Sequence, residues 1–199
     1  DYTTFTFHLR EGVKWSDGHP FTVDDIMFWY EDVLLNEELT PVIGEPWKGE
    51  GEVVDISKID DYTVRLEFPN TRPFFMKRTI KFGAWDFYFP KHYLKQFHPK
   101  YNSELSSDEN QELQDHYDNY HQYPDFPTFK PWKTVSYEEG GKVVFERNPY
   151  YWKVDTEGNQ LPYIDRVESR RIQDPEMLVL RTVEGKLDAQ FRNYDLRDA

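Results

Sequence analysis

The chain has 199 residues, enough to bury a core in one domain or in two small ones. Its 37 acidic against 24 basic residues leave a net charge of -13, which argues against a nucleic-acid partner and against an anionic membrane surface. The absence of cysteine excludes a disulfide framework, a thiolate nucleophile and a cysteine-ligated metal, and no apolar run reaches the roughly 18 residues a membrane helix needs.

Residues 4–33 read as strand, turn and helix. Thr4-Phe5-Thr6-Phe7-His8-Leu9 alternates polar and apolar side chains, as a strand buried on one face requires. Gly12 and Ser16-Asp17-Gly18-His19-Pro20 supply the turn. Thr22 is an N-cap and Asp25, three residues on, can return the bond as in a capping box. The helix runs through Ile26, Phe28, Trp29, Tyr30 and Val33 and ends near Asn36. Residues 37–52 form a loop interrupted by Pro and Gly, and Trp47 in it either pins the loop to the core or stacks on a sugar or peptide at a cleft edge.

Residues 53–68 alternate as a hairpin, with Ile59-Asp60-Asp61 as its connection and Phe74-Phe75-Met76 starting a short helix over its apolar face. Pro90-Lys91-His92-Tyr93-Leu94 starts another helix. Trp85, Phe87 and Tyr88 before it read mostly as core, with Trp85 a candidate for facing ligand. Residues 101–127 are polar and acidic, an exposed helix and loop. His116 and His121 lie five apart, off the face-sharing spacings of three and four, so a solvated face accounts for them better than a metal pair.

Beyond Pro127 a strand, the turn Glu138-Glu139-Gly140-Gly141 and the returning strand Lys142-Val143-Val144-Phe145-Glu146-Arg147 make a second hairpin, which Asn148-Pro149 ends. Residues 164–172 form a further strand. Asp174-Pro175-Glu176 then opens a helix whose buried stripe is Met177, Leu178, Leu180 and Val183, closed by Gly185. Leu187-Asp188-Ala189-Gln190-Phe191 reads as a short last strand.

Four blocks carry a resemblance to the family 5 extracytoplasmic solute-binding proteins, receptors that feed peptide, nickel and oligosaccharide ABC importers. Phe7-His8-Leu9-Arg10-Glu11-Gly12-Val13-Lys14-Trp15-Ser16-Asp17-Gly18-His19-Pro20-Phe21-Thr22-Val23-Asp24-Asp25-Ile26 resembles F-x-L-R-x-G-V-K-[FW]-x-[DN]-G-x-P-[FVL]-T-A-x-D-[VF], with Val23 where Ala is commoner. Asp60-Asp61-Tyr62-Thr63-Val64, Pro90-Lys91-His92-Tyr93-Leu94 and Glu146-Arg147-Asn148-Pro149-Tyr150-Tyr151-Trp152 are similar to D-D-[YH]-T-V, [VA]-P-K-H-x-L and E-R-N-P-x-Y-W. Asp125-Phe126-Pro127-Thr128-Phe129 stands where many members have G-x-G-P-Y. With the long 155–165 segment this resembles a larger subgroup associated with oligosaccharide as well as peptide binding.

The resemblance implies an α+β fold: a mixed β/α fragment of a periplasmic-binding-protein-like (type II, cluster C) first lobe, with hairpins packed on helices. Residues 1–90 would be that lobe's small subdomain and 91–199 part of its main-sheet subdomain, the second lobe being absent. It implies an extracytoplasmic receptor, in the periplasm or lipid-anchored at the cell surface, that captures an oligopeptide or oligosaccharide between two lobes and delivers it to a membrane ABC permease. No cofactor, metal or nucleic acid is implied. By position it points to Phe191, Arg192 and Asn193 at and just past the end of the last strand and to the loop around Trp47 as solute contacts, and Trp85 is a further candidate.

Two other classes remain as alternatives. A non-catalytic adhesion or interaction module would gather the exposed aromatics into one flat patch. A glycoside-acting enzyme would need two facing carboxylates roughly 5 to 9.5 Å apart, a geometry that no spacing among so many acids can reveal. The chain has no Gly-x-Ser-x-Gly, no His-Glu-x-x-His and no glycine-rich phosphate loop, and Ser16-Asp17-Gly18-His19 is a turn rather than a triad.

Overall fold

The computed structural model describes residues 2–77, 87–105 and 110–189. The first sheet is antiparallel, with β5 (Thr63–Glu67) between β1 (Thr4–His8) and β4 (Asp55–Asp60). Its register pairs Phe5 with Leu66 and Phe7 with Val64 on one side, and Ile56 with Leu66 on the other. Helix α1 (Val23–Phe28) continues into a wider π-type segment, Trp29–Leu34, and Val23, Ile26, Phe28, Trp29, Val33 and Leu34 are all buried. Against them lie Val54, Ile56, Val64 and Leu66, so the alternation of β4 and β5 meets the helix's apolar side directly. A two-residue pair, β2 (Lys48–Gly49) with β3 (Glu52–Val53), folds back beside this unit.

The α1 start follows its residues closely. Thr22 Oγ1 accepts from the Asp24 N–H, and the Asp25 carboxylate accepts from the Thr22 N–H, a complete capping box. Phe75 sits in a helical turn over the sheet edge, with its ring 4.9 Å from Phe5 and 4.8 Å from Phe68, while Phe74 points to solvent. The core extends across Pro90: Phe89 before it, and Leu94 of α2 (Lys91–Leu94) and Leu113 of α3 (Asn110–Asp118) after it, belong to the same apolar cluster.

The second sheet is an antiparallel meander of β6 (Trp132–Tyr137), β7 (Lys142–Arg147) and β8 (Arg166–Arg170), in that order. Helix α4 (Pro175–Val183) follows, capped by Asp174, whose Oδ1 accepts from the Glu176 N–H.

Three expectations change. Met177, Leu180 and Val183 are 42%, 50% and 73% exposed, so the apolar stripe of α4 is not buried against the described residues. Segment 110–123 is less solvated than its composition suggests. Leu113 is fully buried and His116 nearly so, its ring stacked between Phe97 (3.9 Å) and Tyr123 (3.7 Å), with Nδ1 3.0 Å from the Tyr93 hydroxyl. Aromatic neighbours from other elements supply that burial, and local polarity does not report them. Residues 187–189 form no strand, and the rest of that expected strand lies outside the described residues.

Candidate functional site

The loop carrying Trp47 is held from below. Arg72 reaches under it, contacting the Glu45 carboxylate at 2.5 Å, the Pro46 carbonyl at 3.0 Å and the Lys48 carbonyl, while its guanidinium stacks 5.4 Å from the Phe68 ring. A Cβ on Gly49 would run into Asn70 Oδ1, so a larger residue there would require the Asn70 side chain to turn aside. Trp47 itself is half-buried among Trp29 (4.8 Å), Phe75 and Phe87 (both 5.9 Å). Its described contacts therefore anchor the loop to the core. Trp85, Phe191, Arg192 and Asn193 lie outside the described residues.

Blocks that are far apart in the chain converge on the turn after β1. Trp15 is buried, its indole N–H donates to Asp25 Oδ2 at 3.2 Å, and its ring stacks on Phe129 at 3.9 Å. Asp25 Oδ1 accepts from the Lys91 N–H at 3.0 Å, so one carboxylate serves the capping box, the indole and the first turn of α2. Burial pushes the Asp25 carboxyl above the ordinary range, outweighing the hydrogen bonds from Thr22, Trp15 and Lys91 that favour its charge. Next to it, Ser16 pairs with Thr128 by two bonds, 3.1 Å and 3.0 Å. Fully buried Asn148 then grips the carbonyls of Thr128 (3.2 Å) and Lys130 (3.1 Å) and accepts from the Tyr150 N–H.

Asp17 completes the junction. Its Oδ2 lies 2.7 Å from His92 Nε2, and the His92 ring stacks on His19 at 3.9 Å, nearly parallel. Burial raises the Asp17 carboxyl, but the His19 N–H and the His92 side chain outweigh it, leaving the group below the usual carboxylate range. A second buried carboxylate, Asp32, plays the same tying role on the π segment. Lys100 Nζ approaches it to 2.5 Å and the Tyr101 hydroxyl donates at 2.6 Å; burial and then this contact push the Tyr101 phenol up to about 12.

One exposed edge was not among the sequence candidates. Tyr150 and Trp152 are 42% and 43% exposed, with Lys14 5.4 Å from the Tyr150 ring and Arg10 5.4 Å from the Trp152 ring. Gly18, at φ +91°, lets the Tyr150 ring lie on the turn: a Cβ there would stand 3.1 Å from its hydroxyl. Pattern alone marked Tyr150 and Trp152 as part of a block, and their exposure is decided by the docking of that block on residues 14–18. Beside this edge, Lys133, Glu146, Arg147, Pro149, Gln160 and Asp165 help line an open groove of about 590 Å³. Such a surface offers ring faces and mixed polar groups, which suits solute contact. Among the described residues, no group of three or more His, Asp or Glu is placed to hold a metal ion.

With this geometry in place, comparison defines the class. Residues 1–197 match the model of the bacterial extracellular solute-binding proteins, family 5 (middle), and the chain belongs to this family. Among particular relatives, the periplasmic alpha-galactoside-binding protein of Rhizobium meliloti is 38% identical over 167 residues, covering 84% of this chain and 23% of that protein. The periplasmic oligopeptide-binding protein OppA of Salmonella typhimurium is 24% identical over 210 residues, covering 98% of this chain and 34% of the relative. In solved structures, an oligopeptide-binding protein OppA superposes with a TM-score of 0.80 at 36% identity, over 95% of this chain and 30% of its own. The periplasmic binding protein MelB of Agrobacterium fabrum, in complex with stachyose, gives 0.71 at 35% identity, over 93% of this chain and 27% of its own. The fold is that of the periplasmic binding proteins, and the chain spans between 23% and 34% of the length of these relatives. No helix among the described residues is long and apolar enough to cross a membrane.

Proposed function

We propose that this chain is part of an extracytoplasmic receptor of an ABC importer that captures an oligosaccharide or oligopeptide between two lobes and presents it to a membrane permease. The observation that carries this reading is the family match over residues 1–197. Relatives at 38%, 36% and 35% identity are named as binding an alpha-galactoside, binding oligopeptides and holding stachyose. The protein is read as a binder without catalysis. Residues 1–90 and 91–199 would be two portions of the first lobe meeting near Pro90. Trp47, Trp85 and Phe191 would offer ring faces, and Arg192 and Asn193 oriented hydrogen bonds. Closure about a hinge would complete the site. Because one wall of a cleft makes only part of the contacts, this chain by itself is expected to bind no solute tighter than roughly millimolar.

The test is a thermal-shift panel on a full-length protein carrying this chain, with alpha-galactosides such as raffinose and stachyose, cello-, xylo- and manno-oligosaccharides, short peptides and nickel. A ligand that binds only the native state raises the melting temperature, so a shift with one class names the cargo. Trp47→Ala and Arg192→Ala should then reduce that shift. Silence across the panel would remove sugar and peptide capture as the reading.

A further inference from the structure

The turn between β6 and β7, the end of β8 and the last turn of α4 enclose a cavity of about 240 Å³, lined by Glu138, Gly141, Lys142, Arg170, Arg171 and Arg181, with Ile172 at its side. Four cations around one cavity are unexpected on a chain of net charge -13. Trp47, the one solute-capture candidate among the described residues, does not line it.

The arrangement is electrostatically unfavourable as it stands. Lys142 and Arg170 are direct cross-strand partners on β7 and β8, and like charges in that position oppose pairing. The nearby carboxylate of Glu168 is spread over three cations: Arg166 at 3.2 Å, Arg170 at 3.7 Å and Lys142 at 4.0 Å. The backbone of Arg171 is fixed, its N–H donating to the Gly141 carbonyl at 3.1 Å. Among the described residues, the guanidinium groups of Arg171 and half-buried Arg181 have no acceptor. Among the described residues Glu138 is the single acid in the lining, so cations outnumber it four to one there.

We propose that this cavity is a binding site for a phosphate group, either free or carried on a small organic molecule. A tetrahedral dianion has the charge to relieve the Lys142–Arg170 repulsion. Its oxygens also suit guanidinium forks, which bind phosphate through paired N–H donors where an ammonium acts as a point charge. The binding tests are independent, since none of the described cavity residues is a solute-capture candidate, so each can fail without the other.

Calorimetric titration of a full-length protein carrying this chain, at fixed ionic strength, tests it with inorganic phosphate and with glycerol 3-phosphate. Sodium chloride is the screening control. The expected result is saturable binding of at least one phosphate compound, weakened tenfold or more by Arg171→Gln combined with Arg181→Gln. The tighter of the two compounds identifies the source of the group. Heat that never saturates, a response that chloride reproduces, or unchanged affinity in the double variant would overturn the site. Should the double variant lose its melting transition, Arg171→Gln alone, on an exposed side chain, decides the question. It is expected to weaken phosphate at least threefold, and an unchanged affinity would again overturn the proposal.

Discussion

Helices α1 and α4 both begin at a side-chain cap and both carry an apolar stripe, yet they end in opposite environments. In α1 the cap residue and its partner are themselves part of the packing: Asp25 is buried and holds Trp15 and the start of α2 as well as Thr22. Behind it, Ile26 lies in one core cluster with the β4–β5 hairpin and Phe28 packs near His98 and Tyr101, neither with any exposed surface. In α4 the cap is local and exposed, and Met177, Leu180 and Val183 face outward. A cap and a period of 3.6 specify that a helix forms and which side is apolar. They do not specify that anything covers that side.

The sharpest way to break this contrast is to remove a ring from the α1 side. Phe28→Ala should cost about 3–5 kcal/mol, because a fully buried aromatic leaves a cavity that its neighbours, His98 and Tyr101 among them, cannot close. Urea unfolding of variant and parent measures it, and a loss near zero would mean that the packing around Phe28 is not as described. Next in size is Asn148→Ala, which leaves the Lys130 carbonyl and the Tyr150 N–H without this partner and removes one of the two donors to the Thr128 carbonyl. A cost of about 2–3 kcal/mol is expected from the unsatisfied buried groups. Asn148→Asp should also be destabilising, since a carboxylate cannot donate to either carbonyl.

A smaller effect should appear with pH around α3. Burial lowers the His116 pKa, and Glu112 and Asp115 only partly offset this, so the folded state favours the neutral ring. Its contribution is therefore complete above the unfolded pKa of about 6.5 and is lost as pH falls through the lower folded value. Melting temperature should drop between pH 7 and pH 5, and His116→Phe, which keeps a ring between Phe97 and Tyr123, should flatten that drop. An identical pH profile in the variant would exclude His116 as its source. Smallest of all, Leu180→Ala on the exposed face of α4 should stay within about 0.5 kcal/mol, as surface changes usually do. A cost above 1 kcal/mol in a full-length protein carrying this chain would reveal a partner for that face.

Much of the fold was legible because its signals are local. The alternation of residues 4–8 and 63–67, the capping box at Thr22 and Asp25, the Asp174 cap and the turn at residues 138–141 each involve groups within a few residues of one another. The solute-contact candidates were far less legible. They rested on positional resemblance, and of the five only Trp47 falls among the described residues, where its neighbours Trp29, Phe75 and Phe87 come from three separate stretches.

Sequence by itself determined most element types, the α+β class and the family, since strand alternation, helix caps and a twenty-residue motif are all written in neighbouring residues. Tertiary structure alone decided that Ser16, Thr128 and Asn148 share one hydrogen-bonded junction. It also decided that Asp25 serves three partners, that His116 is buried, that the α4 stripe is not, and that four cations meet around one cavity. Burial and charge proximity are properties of what packs against a residue, and such partners can lie far away along the chain, as Ser16 and Thr128 do at 112 positions.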